Sequence, residues 1–182
     1  MIEDALLKWR FKQGNNEALG RIYEKYVDFL LTLAMGLLND KASAEDAVHD
    51  IFVKFSASSN NFKLKGSLKS YLTTCVLNKS RDMLRASSKF MVDITKAVDI
   101  ASPANTVRLI ISNERSETIA MALSQLPYEQ REVIVMYFKG GMKFRQIAKL
   151  QDASINTVQS RYRYGLDKLR SVLKDGEKNE TE

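Results

Sequence analysis

Apolar residues along this chain recur at helical spacing, every three to four positions, over most of its length. A short amphipathic segment over residues 4–12 ends at Gly14-Asn15-Asn16. A longer one follows over about 17–38, with Leu19, Ile22, Tyr23, Tyr26, Leu30, Leu33, Ala34 and Leu37 as its inward stripe. Asn39-Asp40 breaks it. Ser43 then has the character of a helix N-cap with Asp46 three residues on, which opens a helix over 44–55. That helix turns Ala47, Val48, Ile51, Phe52 and Phe55 inward and Glu45, His49, Asp50 and Lys54 outward. Residues 56–66 are polar and aperiodic, so they read as a loop. Ser67 caps a helix to about residue 86, lined by Leu68, Tyr71, Leu72, Cys75, Val76, Met83 and Leu84.

Periodicity fades over residues 89–113, where Ser102-Pro103-Ala104-Asn105 marks a linker. Helical spacing resumes near Glu114 with Ile119, Ala122, Leu123 and Leu126. Pro127 sits where the next helix starts, a place where a fixed φ and a missing N–H do no harm. That helix covers 128–138, with Val133, Ile134, Met136 and Tyr137 apolar, and Gly140-Gly141 ends it. A short helix with Phe144, Ile147 and Ala148 then meets a turn at 151–153. Ser154 opens a longer helix striped by Val158, Tyr162, Leu166, Leu169 and Leu173. The prediction is an all-α protein of two small helical domains, 1–88 and 114–174. A flexible linker, 89–113, joins them, and a polar tail, 175–182, follows.

The last two helices have the layout of a helix-turn-helix, whose second helix enters the major groove of DNA. Charge agrees with that partner. The 182 residues carry a net charge of +6, gathered in two blocks. Residues 61–90 hold seven Lys and Arg against Asp82 alone, and residues 139–174 hold nine against Asp152 and Asp167. Two separated basic blocks suggest two contacts with a polyanion.

Composition narrows the classes. One cysteine, Cys75, excludes an internal disulfide and a thiolate metal cluster, and its apolar neighbours Leu72 and Val76 suggest a buried thiol. The only histidine, His49, has no metal partner or nucleophile to serve. With no glycine-rich phosphate loop either, no enzyme, cofactor or metal site is expected. No stretch reaches the roughly 20 apolar residues of a membrane span, and the first residues lack the features of a secretory signal. A cytoplasmic protein is expected.

With both halves placed, the pattern resembles bacterial RNA polymerase sigma factors of the sigma-70 class, in the extracytoplasmic-function group. Four segments carry the resemblance. Ala44-Glu45-Asp46-Ala47-Val48-His49-Asp50-Ile51-Phe52 is similar to the segment that grips the polymerase clamp helices. Ser70-Tyr71-Leu72 through Asn78-Lys79-Ser80-Arg81-Asp82-Met83-Leu84-Arg85 is similar to the helix that meets the minus-ten element. Leu126-Pro127-Tyr128-Glu129-Gln130-Arg131-Glu132-Val133 resembles the start of the C-terminal domain. Thr157-Val158-Gln159-Ser160-Arg161 resembles the recognition helix for the minus-35 element. Each is weak alone; their order and spacing are specific. Asp152 stands where a turn glycine is usual, Asn156 and Gln159 where Gly and Lys are common, and Lys143 occupies a poor cap position.

The resemblance implies a dissociable subunit that binds core RNA polymerase and directs transcription initiation at promoters. On the upstream duplex, Asn156, Gln159, Ser160, Arg161 and Arg163 stand where side chains reach base edges. Arg suits guanine there, and Asn or Gln suits adenine. Arg145 and Lys149 suit phosphates, which position without reading sequence. For the melted single strand, Asn78, Lys79, Arg81 and Arg85 flank a loop carrying Phe62 and Lys63, where an extruded base could stack. Glu45, Asp46, His49 and Asp50 form the surface for core polymerase. An anti-sigma factor clamping between the domains is also implied. The alternative is a stand-alone helix-turn-helix regulator with an N-terminal sensing or dimerisation domain.

Overall fold

The computed structural model describes residues 2–58, 66–95 and 114–179, with side chains for 3–58, 66–87 and 118–174, and among these every regular element is a helix. The chain divides into two units, Met1–Thr106 and Val107–Glu182.

In the first unit, α1 (Ile2–Lys12), α2 (Asn16–Leu38), α3 (Lys41–Ala57) and α4 (Leu68–Thr95) follow in order. Asn15 caps α2 by accepting from the Ala18 N–H at 3.0 Å. At the other end Asn39 takes the left-handed conformation, φ 57°, and its N–H closes on the Met35 carbonyl. Asp40 next door is extended and caps α3, its Oδ2 accepting from the Ser43 N–H at 2.8 Å. Two residues thus end one helix and start the next. Asp40, not Ser43, is the cap, and α3 begins a turn earlier than the sequence suggests. Glu45 and Asp46 therefore lie beyond the first turn, where the helix dipole gives them little.

The two hydrogen bonds from Ser43 hold the Asp40 carboxyl below its ordinary range. A depressed carboxyl stabilises the fold above its unfolded value, near pH 4. That contribution is lost as pH falls through the folded value. Asp40→Ala should therefore cost about 1 kcal/mol near neutrality and progressively less below about pH 4. Thermal melts of both proteins across that range check the sign.

Ile22, Leu30, Leu33, Ala34 and Leu37 of α2 are fully buried with Ala44 and Ala47 of α3 and Leu68, Leu72, Val76 and Leu77 of α4. Ala18 takes the buried place expected for Leu19, and Tyr23 stays largely exposed, edge-on to Phe52. Helix α1 is fastened to this core at both ends. Phe11 stacks on Phe55 at 4.2 Å. Asp4 accepts from the Tyr26 hydroxyl at 2.8 Å and pairs with Lys25 at 2.9 Å. Ser67 caps α4 as expected, accepting from the Ser70 N–H at 3.1 Å. The helix then continues to Thr95, past the expected end near residue 86. Ser87-Ser88 does not stop it, because serine costs a helix interior little compared with glycine or proline.

In the second unit, α5 (Glu114–Ser124), α6 (Tyr128–Phe138), α7 (Phe144–Gln151) and α8 (Ile155–Asn179) follow in order, with α8 packed against each of the other three, and α6 buries five consecutive positions from Glu132 to Met136. Such a helix is enclosed on several sides. Pro127 occupies its N-cap position. Ile119, expected inward, is 47% exposed; Ala122 of α5 and Leu126, just past its end, are buried instead. Helix α8 runs on to Asn179, into the expected tail.

Candidate nucleic-acid interface

The helix-turn-helix is built from local chemistry. At Lys143 the α7 N-terminus lacks a side-chain cap, but the Gln146 Oε1 accepts from the Lys143 N–H at 2.8 Å. Asp152 ends α7 in the left-handed conformation, φ 48°, a conformation that Asp tolerates better than most residues. The Ala153 N–H closes on the Ala148 carbonyl at 3.0 Å. Ser154 then caps α8, its Oγ accepting from the Thr157 N–H at 3.0 Å. Helix, turn and second helix fall where the sequence places them.

On α8, Asn156, Gln159 and Arg163 are all exposed. Their i, i+3, i+7 spacing puts them on one face. The Arg163 guanidinium lies over the adjoining Tyr164 ring at 5.1 Å from its centroid, a contact that pre-orders a long side chain. Ser160 is half-buried beside that face. Arg161, also half-buried, lies about 140° around the helix from Asn156. Its Nη1 donates to the Gln151 Oε1 at 2.8 Å. The Gln151 Nε2 in turn donates to the Glu132 Oε2 at 2.7 Å, and the Tyr128 hydroxyl donates to the Glu132 Oε1 at 3.1 Å. Glu132 is 2% exposed. Sequence reasoning missed Glu132 and Gln151, whose partners lie far along the chain. Arg145 and Lys149 are exposed on α7.

Packing holds α8 in place at three points. Val158 is fully buried. Tyr162 lies edge-on to Tyr137 at 5.0 Å and to Phe144 at 5.1 Å. Gly165, which the sequence reading passed over, lies close against α6: a Cβ there would lie 2.8 Å from the Ile134 Cδ1 and 3.3 Å from the Gln130 Cβ, so the Ile134 tip would have to give way. The absent side chain lets α8 lie against α6.

In the first unit, Asn78 and Arg85 are exposed on α4, while Lys79 and Arg81 are half-buried. Lys79 reaches across to Asp50 of α3 and forms a hydrogen-bonded ion pair with it. That bond and the Lys79 charge hold the Asp50 carboxyl below its ordinary range. A cleft of about 250 Å³ opens beside the pair, lined in part by Phe55, Tyr71, Cys75 and Asn78. Burial pushes the Cys75 thiol up, against a hydrogen bond with Tyr71, so it stays protonated and unreactive at neutral pH. Phe62 and Lys63 lie outside the described residues. Glu45, Asp46 and His49 are exposed on α3 next to Asp50, and Lys41 lies 3.7 Å from Glu45.

The structure therefore brings Asn156, Gln159 and Arg163 together in the second unit and Asp50 together with Lys79 in the first. Among the described residues no cluster of His, Cys, Asp and Glu could hold a metal ion. No described helix is long and apolar enough to cross a membrane.

Comparison with known proteins finds two family models in the same order along the chain. Sigma-70 region 2 matches residues 22–90, and Sigma-70, region 4, matches residues 116–169. Together they span well over half of the sequence. The ECF RNA polymerase sigma factor SigW of Bacillus subtilis is 23% identical over 94% of this chain and 99% of its own length. The RNA polymerase sigma-H factor of Pseudomonas aeruginosa is 23% identical over 95% of this chain and 97% of its own. Among solved structures, the sigma factor RpoE in complex with the anti-sigma factor NepR from Bartonella quintana superposes with a TM-score of 0.63 at 25% identity. That match covers 83% of this chain and 95% of RpoE.

Proposed function

Since the chain belongs to the sigma-70 class of bacterial RNA polymerase sigma factors, in the extracytoplasmic-function group, we propose how its residues divide the work of promoter recognition. The chain binds core RNA polymerase and directs transcription initiation at promoter DNA. Its contribution is binding, in the cytoplasm, and the polymerase core performs the chemistry.

Residues 1–88 form the domain that docks on core polymerase and captures the melted minus-ten strand. Residues 114–174 form the domain that reads the upstream duplex, and 89–113 link them. On α8 the readers are Asn156, Gln159 and Arg163, exposed on one face at the start of a capped helix. Arg145 and Lys149 of α7 hold phosphates. Lys79, Arg81 and Arg85 follow the strand backbone, and Asn78, Phe62 and Lys63 meet the bases. The observation that carries this reading is the helix-turn-helix geometry, with Asp152 left-handed and Ser154 capping, placed inside the region 4 match. An anti-sigma partner follows from the same reading, supported by the complex in which RpoE was solved.

Glu45, Asp46, His49 and Asp50 form the polymerase-docking surface. With Asp40 as the cap, Glu45 and Asp46 have no first-turn role to explain them. Reversing both to Lys should weaken co-elution with core polymerase by about tenfold or more, because an opposed charge repels as well as failing to attract. The melting temperature should move little, since both side chains are exposed and the Glu45–Lys41 pair is a surface pair. Unchanged co-elution would remove these residues from the docking surface.

A further inference from the structure

The chain of hydrogen bonds from Tyr128 through Glu132 and Gln151 to Arg161 links α6, α7 and α8 and ends on the recognition helix. Each link constrains the next. Glu132 is buried, and its two carboxyl oxygens accept from the Tyr128 hydroxyl and the Gln151 amide. The Gln151 amide must therefore turn its Nε2 toward Glu132. Its Oε1 then points the other way, and there it accepts from the Arg161 guanidinium. A part-buried network of this kind, anchored on a buried Glu132 and with its members partnered, is stiffer than its separate bonds. It also acts at a useful place. Gln151 is the last residue of α7, next to the turn, and Arg161 lies two turns into α8.

We propose that Arg161 is a positioning residue rather than a DNA contact: through Gln151 and the buried Glu132 it fixes the rotation of α8 about its own axis, and so decides which face meets the bases. The geometry separates the two roles. Asn156, Gln159 and Arg163 share the exposed face, and Arg161 lies well around the helix from them with its Nη1 occupied. Rotation matters because one residue's turn of α8, about 100°, would replace the whole reading face. Val158 and Gly165 anchor the helix along its length by packing. The Arg161–Gln151 bond is directional, and it adds an angular restraint that trims the small rolls which side-chain packing still allows.

This inference rests on α8 being the helix that reads the upstream duplex, and its test keeps the two apart. Holoenzyme assembled from core polymerase and the full chain is presented with promoters randomised in the upstream element. Base preference and the slope of log affinity against log salt are read for wild type, Gln151→Leu, Arg161→Met and the double variant. Each single variant should relax the base preference by about fivefold, and the double no further, because both break one relay. The salt slope of Arg161→Met should match wild type. Glu132→Gln, which keeps the side-chain shape but lets the Gln151 amide turn either way, should relax the preference too, with only a small change in melting temperature. A salt slope lower by about 0.9 in Arg161→Met would mark a lost phosphate contact and overturn the proposal. Full preference in Gln151→Leu, or a preference relaxed twice over in the double variant, would overturn it as well. A wild-type holoenzyme indifferent to the upstream sequence would instead remove α8 as the reader, and the relay with it.

Discussion

Replacing Asn156, Gln159 and Arg163 together by alanine is expected to cut initiation at a cognate promoter by roughly a hundredfold or more, with co-elution on core polymerase unchanged. Each good base contact is worth about 1–3 kcal/mol, and three neighbours on one face do not add fully. A loss of about 3 kcal/mol is already more than a hundredfold. The fold itself should not suffer. All three side chains are exposed, and alanine is the better helix former at each position. The triple variant should therefore melt no lower than wild type. Runoff transcription and a melting curve on the same preparations check both halves. A loss of core binding, or initiation within threefold of wild type, would place promoter reading elsewhere.

The largest single effect on stability is expected at Gly140. A Cβ built there lies 2.6 Å from the Met136 carbonyl oxygen and 3.2 Å from the Met136 Cα, both backbone. No rotamer change relieves such a contact, so the turn itself must move. That turn is already committed: Gly140 N–H closes on the Val135 carbonyl at 3.1 Å, and Met142 N–H on the Met136 carbonyl at 3.1 Å. Gly140→Ala should destabilise by about 2–3 kcal/mol, a drop of roughly 10–20 °C in the melting of a unit this small. Because the same turn aims α7, upstream promoter binding should fall with it while core docking by the first unit persists. Gly165→Ala is a useful contrast. There the closest atom is the Ile134 side-chain tip, which can shift, and alanine returns up to about 1 kcal/mol of helix propensity. Its effect should be much smaller. Equal melting temperatures for Gly140→Ala and wild type would contradict this account of the turn.

What could be read from the sequence was local chemistry. Ser154 and Ser67 cap the helices they precede, Asp152 turns the chain, and Gly140-Gly141 stops α6, because each depends on residues three or four positions away. Where two local solutions compete, the sequence does not decide. Asp40 and Ser43 are both good caps three residues apart. The tight reversal after Asn39 brings the backbone into position for Asp40. Ile119 keeps helical spacing with Ala122 and Leu126 yet faces out, since a short helix shows too few turns to fix its phase. The candidate site divides the same way. Spacing and resemblance offer Asn156, Gln159, Ser160, Arg161 and Arg163 together; only the fold separates the exposed Asn156, Gln159 and Arg163 from the half-buried other two. The Asp50–Lys79 pair spans 29 positions and the Gln151–Glu132 bond spans 19. No periodicity within one helix announces partners on another, and so the sequence gives Glu132 no role and offers the half-hidden Arg161 only as a base contact.

Promoter-directed initiation by this chain is tested most directly by transcription itself. Core RNA polymerase, alone and with this chain, is given a library of genomic fragments, and runoff products are sequenced from their starts. With the chain present, initiation should concentrate at promoters sharing an upstream motif and a minus-ten motif at fixed separation, and the triple alanine variant should lose the upstream motif first. Identical start sites with and without the chain, together with a free chain that protects a palindrome on duplex DNA unaided, would contradict it.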